Sequence, residues 1–145
     1  HVNTFGGNPV SCAVAGVNLE IMERERLIEA ADELGRHLAA RLRGLAHHPN
    51  VGDIRTFGFA AGIELVEDKE TKRPAPPAMV AKVIEACKQR GLLIGKNGDT
   101  VPGCANILTL APPFVATKEE IDWAAGVLEI ALGALPQDGA KLPVA

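Results

Sequence analysis

Leu27, Ala31, Leu34, Leu38, Leu42 and Leu45 follow one another at intervals of three or four residues, with Arg and Glu filling many of the positions between. That spacing predicts an amphipathic helix ending near His47-His48-Pro49. His37 falls off the stripe and is expected to be a solvated surface residue. Ahead of it, Val10 to about Glu23 is alanine-rich and aliphatic on nearly every side, and Asn8-Pro9 supplies a helix opening. A helix that is apolar all round is expected to be buried. After Asn50-Val51-Gly52-Asp53 the pattern changes. Ile54 to Val66 carries Phe57, Phe59, Ile63, Leu65 and Val66, with Gly58 and Gly62 between, and predicts two short strands or one strand bent at a glycine. Glu67 to Pro77 reads as a charged, proline-bearing loop. Pro76-Pro77 opens a third helix whose apolar side is Val80, Val83, Ile84 and Cys87, and Gly91 stops it. Leu92 to Gly95 and Ile107 to Ala111 are predicted strands, separated by a loop over 97–106. Thr117 and Glu120 have the spacing of a capping box, opening a last helix with Ile121, Ala124, Ala125, Leu128, Ala131 or Leu132, and Leu135 inside. The order ααβ(β)αββα predicts an α+β fold, helices packed on a small, mainly antiparallel sheet.

A chain of 145 residues forms one domain or a little more, and buries roughly 70% of its unfolded surface. With 47% hydrophobic and 23% charged residues, disorder is a poor description. The net charge of −3 and 3% aromatic content argue against nucleic acid as a partner. No apolar run is long enough to span a membrane, and no signal-peptide pattern opens the chain. Cys12, Cys87 and Cys104 form no CxxC pair, so they are expected to be buried packing thiols in a reducing, cytoplasmic setting. The chain opens at His1 rather than Met, as a processed end or a piece of something longer would.

Most chemical motifs fail on inspection. Gly95-Lys96 invites a phosphate-binding loop, but that motif needs Gly at 90 and Ser or Thr at 97, where Arg90 and Asn97 stand. Adjacent His47 and His48 suit a helix C-terminus better than a metal site. One segment survives. Asn3-Thr4-Phe5-Gly6-Gly7-Asn8-Pro9 places a hydroxyl and glycine backbone directly before a helix N-terminus, where free amides and the helix dipole favour an anion such as phosphate.

The run HVNTFGGNPVSCAVAGVNLEIMERERLIEAADELGRHLAARL resembles the C-terminal region of class III pyridoxal-phosphate-dependent aminotransferases. That group includes ornithine, gamma-aminobutyrate, alanine–glyoxylate and omega-amino-acid aminotransferases. The stretches GFAAGIELV, ACKQRGLLIGK and NILTLAPPFVATKEEID agree in order and spacing, so the resemblance extends to about residue 133. It implies part of a fold type I chain: residues 1–25 as the end of the large cofactor domain, 26–135 as a bridging helix and small C-terminal domain, and 136–145 as a loose tail. It further implies a homodimer in which Thr4, with Asn3 beside it, reaches the cofactor phosphate of the neighbouring subunit. The implied reaction passes an amino group from an amine or amino acid to a 2-oxo acid through pyridoxal 5'-phosphate. The Schiff-base lysine lies upstream in the family, and none of Lys69, Lys72, Lys82, Lys88, Lys96, Lys118 or Lys141 matches its motif, so this chain alone is expected to be inactive. Several members carry an arginine for the substrate α-carboxylate where this sequence has Thr109. Lys96 is a candidate substitute, and an omega-amino acid or simple amine is the expected donor. Aminomutases, decarboxylases and racemases share this architecture, and a non-catalytic dimerisation or ligand-binding module is the remaining alternative.

Overall fold

The computed structural model describes residue 4 and residues 6–98 and 101–135. Asn3 and the tail over 136–145 lie outside the described residues. Four helices and five strands follow in the order α1 (Pro9–Arg24), α2 (Leu27–Arg43), β1 (Val51–Phe57), β2 (Ala60–Asp68), β3 (Arg73–Pro74), α3 (Pro77–Lys88), β4 (Gly95–Lys96), β5 (Ile107–Leu110) and α4 (Lys118–Gly133). A short 3₁₀ turn, Gly44–His47, extends α2 toward β1. The sheet is antiparallel throughout, ordered β1-β2-β5-β4, with β3 beside β2.

The leucine stripe of α2 is the spine of the core. Ala31, Leu34, Leu38 and Leu42 are buried against β1 and α4, joined by Ile63, Leu65 and Leu108 from the sheet and Val80, Val83 and Cys87 from α3. Ile121, Leu128, Ala131 and Leu132 complete it from α4. Each fully buried aliphatic side chain of this kind contributes about 1.5–3 kcal/mol. The capping box forms as the spacing predicts: Thr117 Oγ1 accepts from the Glu120 amide at 3.2 Å, and Glu120 Oε2 accepts from the Thr117 amide at 2.8 Å. Gly35 lies against the β1–β2 turn so closely that a Cβ there would come within 2.4 Å of the Gly58 carbonyl oxygen. Helix and hairpin therefore meet backbone to backbone.

Several expectations are corrected. No residue of α1 is buried: Val10, Val14, Val17 and Leu19 are all exposed, and Cys12 with them. The reason is geometric. Arg26 adopts a left-handed conformation with φ 52°, which turns the chain between α1 and α2 and carries α1 away from the core. The strand predicted over Leu92–Gly95 is shorter and shifted, forming β4 at Gly95–Lys96, because the Leu92 amide bonds back to the Cys87 carbonyl to finish α3. His37 is not a free surface residue, since its Nε2 lies 2.8 Å from Asp122 Oδ1 on α4.

Candidate active-site surfaces

The first candidate surface precedes α1. Thr4 is exposed and opens a turn that includes Gly7, whose φ of 80° suits glycine. The amides at the helix N-terminus are not free, contrary to the sequence expectation. Asn8 Oδ1 accepts from Val10 at 3.0 Å and Ser11 at 3.2 Å, the Asn8 carbonyl takes the Cys12 amide, and Pro9 has none to give. What this turn offers a phosphate is therefore the Thr4 hydroxyl, the backbone around Gly6 and Gly7 and the positive end of the helix dipole, not the amides of the first helical turn. A hydroxyl donor of that kind fits a phosphate oxygen.

The second surface is the sheet face turned away from the helices. Leu108 and Leu110 are buried while Thr109 between them is exposed, so Thr109 points to the opposite face. Register places Arg55, Gly62, Thr109 and Gly95 in one row across four strands. A Cβ at position 95 would lie 2.6 Å from Thr109 Oγ1, so glycine there is what makes room for the threonine. Lys96 does not join this row. It pairs with Leu108 and belongs with it to the other face of β5. The cation on the Thr109 face is Arg55, which sequence reasoning missed. Its Nη1 lies 2.8 Å from Asp53 Oδ2 and 3.0 Å from Glu64 Oε2, and the Glu64 hydrogen bond holds its ionisation above the usual arginine range. Two carboxylates already neutralise it. Residue alternation along β1 was the available signal, but the pairing partners on β2 were needed to use it.

Thr109 also borders a hollow of about 540 Å³ at the β4–β5 edge, with Leu92, Leu93, Pro113, Ile121 and Trp123 among its walls. Its one charged wall residue is Glu120, whose carboxylate is engaged in the capping box. This space suits an apolar group. His48 is buried between the 3₁₀ turn and β1. Its Nδ1 accepts the Asn50 amide at 3.2 Å, Nε2 has no partner in hydrogen-bonding geometry, and burial, then the His47 charge, lowers its pKa despite the Leu132 backbone.

An α+β arrangement of this order recurs within solved aminotransferase chains longer than this one. The class III aminotransferase family model matches residues 1–132, and the chain belongs to that family. The uncharacterized aminotransferase YhxA of Bacillus subtilis is 54% identical over 123 residues, 85% of this chain and 27% of the relative. The taurine–pyruvate aminotransferase of Bilophila wadsworthia is 43% identical over 122 residues, 83% of this chain and 27% of that protein. A crystal structure of a Bacillus anthracis aminotransferase superposes with a TM-score of 0.86 at 51% identity, covering 93% of this chain and 30% of that one. The chain thus spans less than a third of the relatives it matches. Among the described residues, no helix is long and apolar enough to cross a membrane.

Proposed function

We propose that this chain is the C-terminal part of a pyridoxal-phosphate-dependent transaminase that moves an amino group from an amine or amino acid, by preference an omega-amino acid, to a 2-oxo acid such as pyruvate or glyoxylate. The observation that carries the reading is the family match over residues 1–132, in relatives more than three times as long. In this reading residues 1–25 close the large cofactor domain, 26–135 form the bridging helix and small domain, and 136–145 are a tail. The apolar α1, none of whose residues is buried, supports that division, because such a helix needs a surface that these residues do not supply.

Members of this family use pyridoxal 5'-phosphate, which supplies the electron sink for the reaction. In a homodimer, Thr4 of one subunit would bind the cofactor phosphate of the other, with Asn3 beside it. The Schiff-base lysine belongs to the part of the protein outside this chain. The row of Thr109, Gly62 and Gly95 leaves the sheet face small, and Arg55, the one cation on it among the described strand residues, is committed to carboxylates. A donor lacking an α-carboxylate fits that face best. The relative named for taurine agrees, since taurine carries its acid group two carbons from the amine. Lys96, on the other face, is a weaker candidate for the acceptor's carboxylate than a cation outside these residues.

The test is reductive trapping. The parent enzyme and this chain are incubated with pyridoxal phosphate, reduced with borohydride and mapped by mass spectrometry. One stoichiometric lysine adduct upstream of residue 1 in the parent, and none in this chain, is expected. Specific labelling of one lysine here, with amino-donor turnover, would overturn the reading. Dependence of turnover on an added 2-oxo acid separates transamination from mutase, decarboxylase or racemase chemistry.

A further inference from the structure

Strand β4 ends at Lys96, and the next residue in register, Asn97, continues the pairing by other means. Its amide donates to the Ile107 carbonyl at 2.9 Å, as in an antiparallel ladder. The return bond differs. The Ile107 amide donates at 2.9 Å not to the Asn97 carbonyl but to the side-chain oxygen, Oδ1. The side-chain nitrogen, Nδ2, donates to the carbonyls of Gly98 at 3.0 Å and Cys104 at 2.9 Å. One N–H on one side and two carbonyls on the other fix which way round the side chain stands. Asn97 thus replaces a strand carbonyl while the main chain turns away at Gly98, and it ties that turn to Cys104 on the way back. Asn106 is spent elsewhere: it exchanges bonds with Leu65, at 2.8 Å through its carbonyl and 2.6 Å through its side chain, and so ties β5 to β2.

Ile107 links this arrangement to the Thr109 face. It stands two residues before Thr109 on β5, so both side chains project from the same side of the sheet. Ile107 leans over Gly62, where a Cβ would lie 3.2 Å from its Cγ2, and Gly62 is the cross-strand partner of Thr109. The β4–β5 ladder itself is only the two pairs Gly95–Thr109 and Lys96–Leu108, so Asn97 supplies the next rung.

We propose that Asn97 is a positioning residue for donor binding. Through the Ile107 amide, its side chain sets where Ile107 and Thr109 stand over Gly62 and Gly95. The inference rests on the reading of this face as the donor surface. Asn97 acts through β5 and touches no substrate. A donor without an α-carboxylate depends on the shape of this face, whereas a 2-oxo acid is oriented by a cation elsewhere. A small displacement of β5 therefore costs the donor and spares the acceptor.

Kinetics of the parent enzyme, with β-alanine as donor and pyruvate as acceptor, test this. Asn97→Ala should raise the donor KM about tenfold and leave kcat and the pyruvate KM within about twofold of wild type. Asn97→Asp keeps an oxygen for the Ile107 amide but has no donors for Gly98 and Cys104. It should hold the donor KM within about threefold of wild type, although its melting temperature falls with that of Asn97→Ala. A tie that only stabilises the loop would lower both melting temperatures and move neither KM once active enzyme is titrated. That outcome, or equal damage to the donor KM in both variants, would overturn the proposal. Hydrogen exchange over 106–108 gives a readout without turnover. It should be about tenfold faster in Asn97→Ala than in wild type, and unchanged exchange also overturns the proposal. A wild-type parent with no turnover on added 2-oxo acid refutes the proposed function, whereas an active wild type with unmoved variants refutes only the role of Asn97.

Discussion

His37 on α2 and Asp122 on α4 meet at 2.8 Å, and Arg41 Nε reaches the same carboxylate oxygen, also at 2.8 Å. With Lys118 and Glu33 at 2.6 Å one turn along, these contacts form a polar seam over the leucine core that α2 and α4 share. The seam is partly exposed, so its worth is modest, on the order of 0.2–1 kcal/mol for each pair. Asp122→Ala should lower stability by about 1 kcal/mol in urea titration. A double-mutant cycle with Arg41→Ala should show coupling that weakens in high salt. Strict additivity would mean the contact holds nothing together.

His48 sets a pH dependence whose sign is fixed by burial. Its pKa in the folded chain lies below the ordinary histidine value, so the unfolded state binds the proton more readily. Stability should be full above about pH 6.5 and fall as pH drops below it. Protonation also removes the lone pair with which Nδ1 accepts the Asn50 amide. Melting temperatures at pH 7.5 and 5.5 check this, with His48→Asn as the non-titrating comparison. The variant should lose most of the wild-type slope in that window, and an equal slope in both proteins would exonerate His48.

If the proposed function holds, Thr4→Ala should weaken retention of pyridoxal phosphate in the parent protein by about ten- to a hundredfold. A hydrogen bond from a hydroxyl to a charged phosphate contributes roughly 1.5–3 kcal/mol. Asn8 already takes the Val10 and Ser11 amides, so the first helical turn has no donors there to compensate. Equilibrium dialysis of the two proteins gives the answer. Unchanged affinity would make Thr4 a turn residue only.

Thr109→Arg should move donor preference toward α-amino acids. A guanidinium there would stand on the open sheet face, beside Gly95 and Gly62, and could grip a carboxylate with two parallel hydrogen bonds. The measurement is kcat/KM for a matched pair of α- and ω-amino acids. A wild-type enzyme that already prefers the α-amino acid, with no response to the substitution, would detach position 109 from donor choice.

The elements that sequence revealed best are those whose signal is local. The stripe from Leu27 to Leu45 and the Thr117–Glu120 box depend on neighbours within one or two turns, and both formed as expected. The misses depend on distant partners. Nothing in α2 announces that His37 will meet a carboxylate 85 residues later. The apolar character of α1 signals a need for cover, yet that cover is not provided within the described residues. Thr109 and Lys96 both lie near the predicted site, but only the β4–β5 register shows that they belong to opposite faces. Arg55 escaped notice for the same reason.

The contact between Gly35 and Gly58 has a consequence for how this region can change. Glycine in mid-helix costs about 1 kcal/mol relative to alanine, so position 35 is an obvious target for anyone seeking to stiffen α2. Yet the first carbon added there would strike the hairpin's main chain, which cannot swing aside as a side chain could. The helix is left intrinsically weak at that point so that the sheet can be seated against it. Stabilising substitutions in α2 must therefore be sought on its outer face, and a helix chosen on propensity alone would displace the hairpin that carries Arg55 and Gly62.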